Sequence, residues 1–427
     1  MNACSALLSR HSRIRNGSSI NIGGSRNLPH AMNPFHRIPG RRFLHAPGPS
    51  HVPDEVIHAM SRQPMDMGDP RLDQVIAGCE DGLRRLLQTQ HSDIFLYATN
   101  GHGAWEAVIV NLVSPGQQVL VPGTGHFSDS WALQCEAMGV SVLRTPWVEG
   151  APIDPMAVEQ VLRDDHAHAI RAVFAVHTDT ASGVCNDMAA LRQAIDAAAH
   201  PALFVVDVVA SLGASDFAMD ELGVNVVLGA SQKGLMCPPG LGFAAADARA
   251  MAVCEQVTTP RYYWDWRQRR SVFSYRKFCG TPPQTLLFGL QAALDLIFAE
   301  GLEQVLVRHR LLANMVHAAV DCWSTAGRVG LFALHAASRS ASVTTITVAE
   351  GIDVEAMRAV AREQFQVALA GGLGPLQGRV FRIGHLGDVN APMLLGCLAG
   401  VQAAMVVQKI AHGPGALDAA IACLAQS

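Results

Sequence analysis

Two strand ends and one glycine-bearing turn supply the side chains in this 427-residue chain that could do chemistry. An apolar run over residues 224–229 leads into Ala230-Ser231-Gln232-Lys233-Gly234, and Cys237-Pro238-Pro239-Gly240 follows. A lysine held between an apolar strand and a rigid Pro-Pro-Gly turn is partly desolvated, which lowers its pKa. The neutral amine that results is the form that attacks carbonyl groups. A lysine considered alone is more often a solvated surface residue. Leu203-Phe204-Val205-Val206-Asp207 ends a second apolar run on a carboxylate. An acid buried there requires a cationic partner, because an unpaired buried charge is strongly unfavourable. A protonated ring nitrogen would serve; the alternative is an Asp that caps the following turn. A metal-binding acid of the Walker B kind is disfavoured, since no GxxxxGK[ST] loop occurs in the chain. The third feature is Asn100-Gly101-His102-Gly103, at a strand-to-helix turn. Glycines there let backbone N–H groups approach a phosphate at the positive end of a helix, and a simple tight turn is the competing reading.

Such residues need a sheet to hold them, and the pattern provides one. Strands are expected at residues 94–99, 118–122, 141–144, 172–177, 203–207 and 224–229, with helical stretches at 104–113, through Trp131 and Met138, and at 188–199. Near-continuous apolar strands separated by helices predict a mostly parallel sheet covered on both faces, with its ligand at the carboxyl ends of the strands. A helical run over 285–300 leads out of this region. A second βαβ-like unit follows, with strands at 342–348 and 379–384 and helices at 354–365 and 391–407. The expected organisation is a tail over residues 1–42, a large domain over 43–300 that begins with an arm at 43–60, and a small C-terminal α/β domain over 301–427.

The apolar fraction of 49% exceeds what one small core requires, and the formal charge of −4 carries no nucleic-acid signature. Ten cysteines without a CxxC pair read as free thiols in a reducing compartment. The longest apolar stretch, residues 391–407, is interrupted by Gly396, Gly400 and Gln402 and falls short of a membrane span; it reads as a buried helix of a soluble protein. No Asp or Glu precedes Asp54, whereas Arg10, Arg13, Arg15, Arg26, Arg37, Arg41 and Arg42 recur among Ser, Asn, Gly and Pro. That tail is read as disordered, or as following a start codon assigned ahead of Met32, and the protein as cytoplasmic. An organelle transit peptide is the competing reading.

Ser231-Gln232-Lys233-Gly234-Leu235-Met236, with Pro238-Pro239-Gly240-Leu241, resembles the cofactor-lysine segment of class V aminotransferases, closest to the serine–glyoxylate and alanine–glyoxylate branches. Further matching stretches are Pro47-Gly48-Pro49-Ser50, Gly103-Ala104-Trp105-Glu106-Ala107, Val206-Asp207, Ser211-Leu212-Gly213, Tyr263-Trp264-Asp265-Trp266 and Phe381-Arg382-Ile383-Gly384-His385-Leu386-Gly387-Asp388. They occur in family order from about residue 43 to 407. The resemblance implies the fold-type I transferase architecture, pyridoxal 5′-phosphate (PLP) as cofactor, no metal, and a homodimer with shared active sites. It implies transfer of an amino group from a small amino acid of the serine or alanine type to a 2-oxo acid such as glyoxylate or pyruvate.

By the same resemblance, Lys233 would carry PLP covalently and act as the proton-transfer base, and Asp207 would pair with the pyridinium nitrogen. Asn100, Gly101, His102 and Gln232 would hold the phosphate, with Thr281 helping from the neighbouring subunit. Thr180, in His177-Thr178-Asp179-Thr180-Ala181-Ser182-Gly183, would lie near the phenolic oxygen, Phe127 would stack on the ring, and Arg382 would clamp the substrate carboxylate. The sequence departs from the family at three places. Asn100 stands for a small hydroxyl residue, Phe278-Cys279-Gly280 lacks the usual Tyr or His, and Met67-Gly68-Asp69-Pro70 replaces a His-Arg-Gly-Pro run. A PLP lyase or desulfurase on the same fold is the alternative enzyme, with Cys237 and Cys279 near the expected site; those enzymes place a histidine before the lysine, where this chain has Gln232. A PLP-binding transcription regulator is disfavoured because the tail is too short for a winged helix.

Overall fold

The computed structural model describes residues 39–425, and the chain from Arg42 onward forms one compact unit. The tail reading falls mostly on residues 1–38, which lie outside the described residues. Fourteen strands are present in this part: β1 (Phe43–His45), β2 (Asp93–Thr99), β3 (Gln118–Pro122), β4 (Ser141–Thr145), β5 (Ile170–Val176), β6 (Thr178–Asp179), β7 (Val184–Cys185), β8 (Leu203–Asp207), β9 (Val226–Ala230), β10 (Gly240–Ala246), β11 (Val329–Leu331), β12 (Val343–Val348), β13 (Val367–Gly371) and β14 (Val380–Gly384).

Seven of them form the sheet that carries the site, in the order β2-β10-β9-β8-β5-β3-β4. All run parallel except β10, which pairs antiparallel with both β2 and β9. Every residue of β8 and β9 is buried, the pattern of central strands covered on both faces. One face packs against the helices Pro70–Leu87 and Gln284–Glu300 through Leu72, Ile76, Leu83, Leu287 and Leu294, which meet Phe204, Val206, Val227 and Phe243 of the sheet. The opposite face meets the helix Gly101–Leu112 and Trp131. The expected α/β fold with a mainly parallel, helix-covered sheet is therefore observed.

A second sheet has the order β1-β13-β14-β12-β11 and its own core with the helices Leu302–Ser324 and Ala391–Val407. Its strands differ from the βαβ-like reading. β12 pairs antiparallel with β14, because β13 follows the helix Val354–Gln364 and reverses the chain before β14 begins. The arm segment also contributes to this sheet: β1 pairs in parallel with β13, joining Phe43 to Val367. The chain then crosses from the second sheet to the mouth of the first at Pro47–Ser50. Among the described residues no single helix is long and apolar enough to cross a membrane. The helix Ala391–Val407 buries Leu394, Leu398, Val401 and Met405 in the second core.

Candidate active site

At the carboxyl ends of β8 and β9 the chain forms a cavity of about 290 Å³, lined by Asn100, Gly101, His102, Phe127, Thr180, Asp207, Gln232 and Lys233 together with Gly48, Pro49, Trp105 and Thr178. Eight of the ten residues expected from the sequence thus meet around one space. Arg382 lies beside it, and Thr281 does not line it: Thr281 is exposed, just ahead of the helix Gln284–Glu300.

Lys233 sits in a loop closed on itself. Ser231 N donates to the Leu241 carbonyl at 2.9 Å, Ser231 Oγ donates to the Pro238 carbonyl at 2.6 Å, and Met236 N donates to the Lys233 carbonyl at 3.0 Å. The loop rests on the Leu212-Gly213 turn, and a Cβ on Gly234 would fall 2.2 Å from the Leu212 carbonyl, so only glycine follows the lysine without displacement. From the other side the arm presses down: Ser50 N donates to the Gln232 carbonyl at 3.1 Å and Ser50 Oγ to the Lys233 carbonyl at 2.8 Å. The Lys233 Nζ donates to the Pro47 carbonyl. Burial pulls the amine down from its ordinary value to about 8, and the nearby Arg382 guanidinium adds to the effect, while Asp207 and Asp179 oppose it.

The Asp207 carboxylate is 4% exposed. Its Oδ1 accepts from Val209 N at 2.6 Å and its Oδ2 from the Trp105 indole at 2.7 Å. Burial raises the carboxyl to about 6 against the pull of these two N–H groups. Among the described ion pairs none involves Asp207, so the carboxylate faces the cavity without a cation at contact distance.

The turn after β2 is shaped by Asn100. Its Oδ1 accepts from Gly103 N at 3.3 Å, capping the helix Gly101–Leu112, so the departure from a small hydroxyl keeps the cap. The first N–H groups of that helix have no intrahelical acceptor and open on the cavity. Phe127 is at the start of the helix His126–Ala137, where its N–H donates to Asp179 Oδ2 at 2.7 Å. Arg382, on β14, is fixed from both ends: Nε donates to the Gly371 carbonyl and Nη1 to the Thr180 carbonyl, each at 2.7 Å. Burial lowers its guanidinium to about 10.

Sequence reasoning assigned no role to Asp179, Trp105 or Pro47. Asp179 is fully buried, accepts from Ala181 N at 2.8 Å and Ser182 N at 3.4 Å besides Phe127 N, and so ties the ring-stacking position to the Thr180 loop. Trp105 and Pro47 lie inside stretches that match the family, and Asp179 stands next to Thr180, which was the one available signal.

The residues fit PLP on their own chemistry. Thr178 Oγ1 and Gln232 Oε1 are buried without a hydrogen-bond partner, a carboxylate awaits a cation, a helix N-terminus awaits an anion, and a largely buried amine stands close enough to feel Asp207. A sheet of this topology with a lysine and an aspartate at adjacent strand ends is the fold-type I PLP transferase design. Residues 42–377 match the sequence profile described as Aminotransferase class-V. The chain is 40% identical over 361 residues to an L-aspartate–glyoxylate aminotransferase of Paracoccus denitrificans, covering 84% of this chain and 90% of that protein. It is 37% identical over 379 residues to a serine–glyoxylate aminotransferase of Arabidopsis thaliana, covering 88% and 92%. Among solved structures, the ureidoglycine–glyoxylate aminotransferase of Bacillus subtilis superimposes with a TM-score of 0.82 at 27% identity, covering 91% of this chain and 99% of that one. The chain belongs to the class V aminotransferase family and is a PLP-dependent aminotransferase.

Proposed function

We propose that this enzyme moves an amino group from a small amino acid to a 2-oxo acid, with glyoxylate as acceptor. The observation that carries the reading is the cavity that Lys233 and Asp207 line together, with the Arg382 guanidinium beside it, bonded to the carbonyl of the lining residue Thr180 and near enough to act on the Lys233 amine. The relatives named for glyoxylate support the choice of acceptor, and their donors, aspartate and serine, define the panel to be tested.

When bound, PLP supplies a carbonyl that captures the amine and a ring that accepts electron density from the donor carbon. Asp207 would keep the ring nitrogen protonated, which would strengthen that pull. Lys233 Nζ would take the proton from the substrate Cα and return one on the cofactor side, a role suited to an amine that burial draws down to about 8. Arg382, held rigid by two backbone carbonyls, pairs with the substrate carboxylate. Of the residues that line the cavity, Phe127 would cover the ring, Thr180 would stand beside its oxygen, and Asn100, Gly101, His102 and Gln232 would hold the phosphate. Thr281, exposed and away from its own cavity, suits a homodimer in which it reaches the partner's phosphate.

The desulfurase alternative requires a mobile cysteine, and Cys237 and Cys279, the two expected near the site, do not meet that need. Cys237 is 1% exposed with its thiol pushed up to about 12 by burial, and Cys279 does not line the cavity. A donor–acceptor panel with purified enzyme tests the reading. Aspartate, serine or alanine should convert bound PLP to the pyridoxamine form in a single turnover, and glyoxylate should reverse it. Release of ammonia or sulfide without that conversion would overturn the proposal.

A further inference from the structure

Trp105 occupies a motif that the sequence matches to the family and to which the mechanism above gives no task. The residue lies one turn into the helix Gly101–Leu112, three positions after His102, so both rings lie on the same helix face. Their centroids are 4.6 Å apart. On its other side the Trp105 ring stacks on Trp131 at 5.6 Å and 8°, and Trp131 stacks in turn on Phe174 of β5 at 4.7 Å and 12°. Phe127 meets the same ring edge-on at 6.3 Å. One indole therefore touches the phosphate turn, the ring-stacking residue and the sheet beneath them, and it is 2% exposed.

Its single donor is spent on one acceptor, Asp207 Oδ2, at 2.7 Å. Val209 N, from the chain just beyond β8, holds the other oxygen at 2.6 Å. The two bonds fix the plane of the carboxylate and favour its charged form, in a place where burial favours the neutral acid. The other charged and titratable groups facing Asp207 do not replace that donor. Lys233 favours the carboxylate from a distance, Asp179 disfavours it, and the buried His177 ring feels it across the strand ends. A phenylalanine at position 105 would keep the stack and fill the space, yet leave Oδ2 without a partner.

We infer that Trp105 is a positioning residue for the reaction: its indole N–H holds Asp207 ionised and in the orientation that meets the pyridine nitrogen. The inference rests on the assignment of Asp207 to that nitrogen, but the bond itself can be tested without the cofactor. The experiment is a carboxyl titration of Asp207 by ¹³C NMR in cofactor-free protein, comparing wild type with Trp105→Phe and Trp131→Phe. A hydrogen bond to a charged group is lost only in Trp105→Phe, which should weaken Asp207 as an acid by about tenfold or more. Trp131→Phe removes an indole N–H that has no partner, from the neighbouring ring of the same stack, and should leave the titration where it is. PLP affinity in Trp105→Phe should then fall more steeply with decreasing pH than in wild type. Equal Asp207 titrations in folded wild type and Trp105→Phe would overturn the inference. If Trp105→Phe does not fold, the Trp105 indole ¹⁵N–H resonance in the wild type decides: it should shift with the Asp207 titration, and a resonance indifferent to pH would overturn the inference equally. A displaced titration with unchanged PLP affinity would uphold the bond and instead refute the assignment of Asp207 to the ring nitrogen.

Discussion

Replacing Asp179 with alanine should damage both stability and the cavity, although Asp179 is not among the residues that line it. Its carboxylate accepts three backbone N–H groups, from Phe127 at 2.7 Å, Ala181 at 2.8 Å and Ser182 at 3.4 Å. The first two are well-formed bonds at fully or partly buried positions. A buried donor left without a partner costs ~1–3 kcal/mol, so two such donors give ~2–6 kcal/mol, with the long Ser182 contact adding little. Part of that is returned, because burial raises the Asp179 carboxyl above its ordinary value and the variant no longer buries the charge. A net loss of ~2–4 kcal/mol follows from these two opposing terms. Asp179→Asn keeps one acceptor oxygen but turns an NH₂ group toward the remaining donors, and should lose roughly half as much. Urea unfolding at neutral pH reads the loss as a lower midpoint at constant slope. PLP titration should show weaker binding in both variants, since Phe127 loses the bond that sets its height over the cavity. An Asp179→Ala enzyme with a wild-type midpoint and wild-type PLP affinity would refute the reasoning.

Four histidines, His45, His309 and His385 buried and His317 half-buried, form an acid-sensitive group where the arm, the helix Leu302–Ser324 and the end of β14 meet. His309 and His317 are drawn down to about 4, and His45 and His385 are lowered too, in each case chiefly by burial. Folded-state values below the unfolded value mean that unfolding takes up protons, so this stability is present above pH 6.5 and is lost as pH falls toward 4. His309 and His317 alone should remove ~2–3 kcal/mol between pH 7 and 5.5, and a flat urea midpoint over that interval would contradict the assignment. Gly48 has φ +123°, and a Cβ there would lie 2.5 Å from Lys233 Nζ, so Gly48→Ala should displace the lysine or the arm and slow PLP uptake at least tenfold in stopped-flow absorbance. Arg382→Gln should lower kcat/KM for the donor by ~10²-fold or more through loss of the carboxylate pair. It should also move the pH dependence of PLP uptake by the cofactor-free enzyme upward, because the Arg382 charge helps to depress the free Lys233 amine.

The parts of the fold that local pattern could specify were legible in the sequence. β2, β3, β5, β8 and β9 follow mainly apolar runs that carry Val or Ile, and they fall within two residues of the expected positions. β10 was not legible, because Gly-Leu-Gly-Phe-Ala-Ala-Ala lacks the β-branched residues that mark a strand and owes its conformation to β2 and β9 on either side. The pairing of β1 with β13 joins segments more than 300 residues apart, which no periodicity can announce. The site shows the same division. Lys233 and Asp207 announce themselves because each ends an apolar strand where a charge needs a reason. Trp105 and Asp179 acquire their roles only when Asp207 and Phe127 arrive from distant sequence, so their types alone look like ordinary core and turn residues.

The chain contains three lysines, which makes its central assignment open to direct chemical mapping. Lys277 is paired with Glu80 at 2.5 Å and Lys409 is exposed beyond the helix Ala391–Val407, leaving Lys233 as the lysine at the cavity. The decisive measurement is borohydride reduction of the PLP-loaded enzyme, followed by peptide mass spectrometry. A phosphopyridoxyl adduct on Lys233, absent in Lys233→Ala, is the predicted result. An adduct on Lys277 or Lys409, or no adduct after PLP loading, would contradict the account.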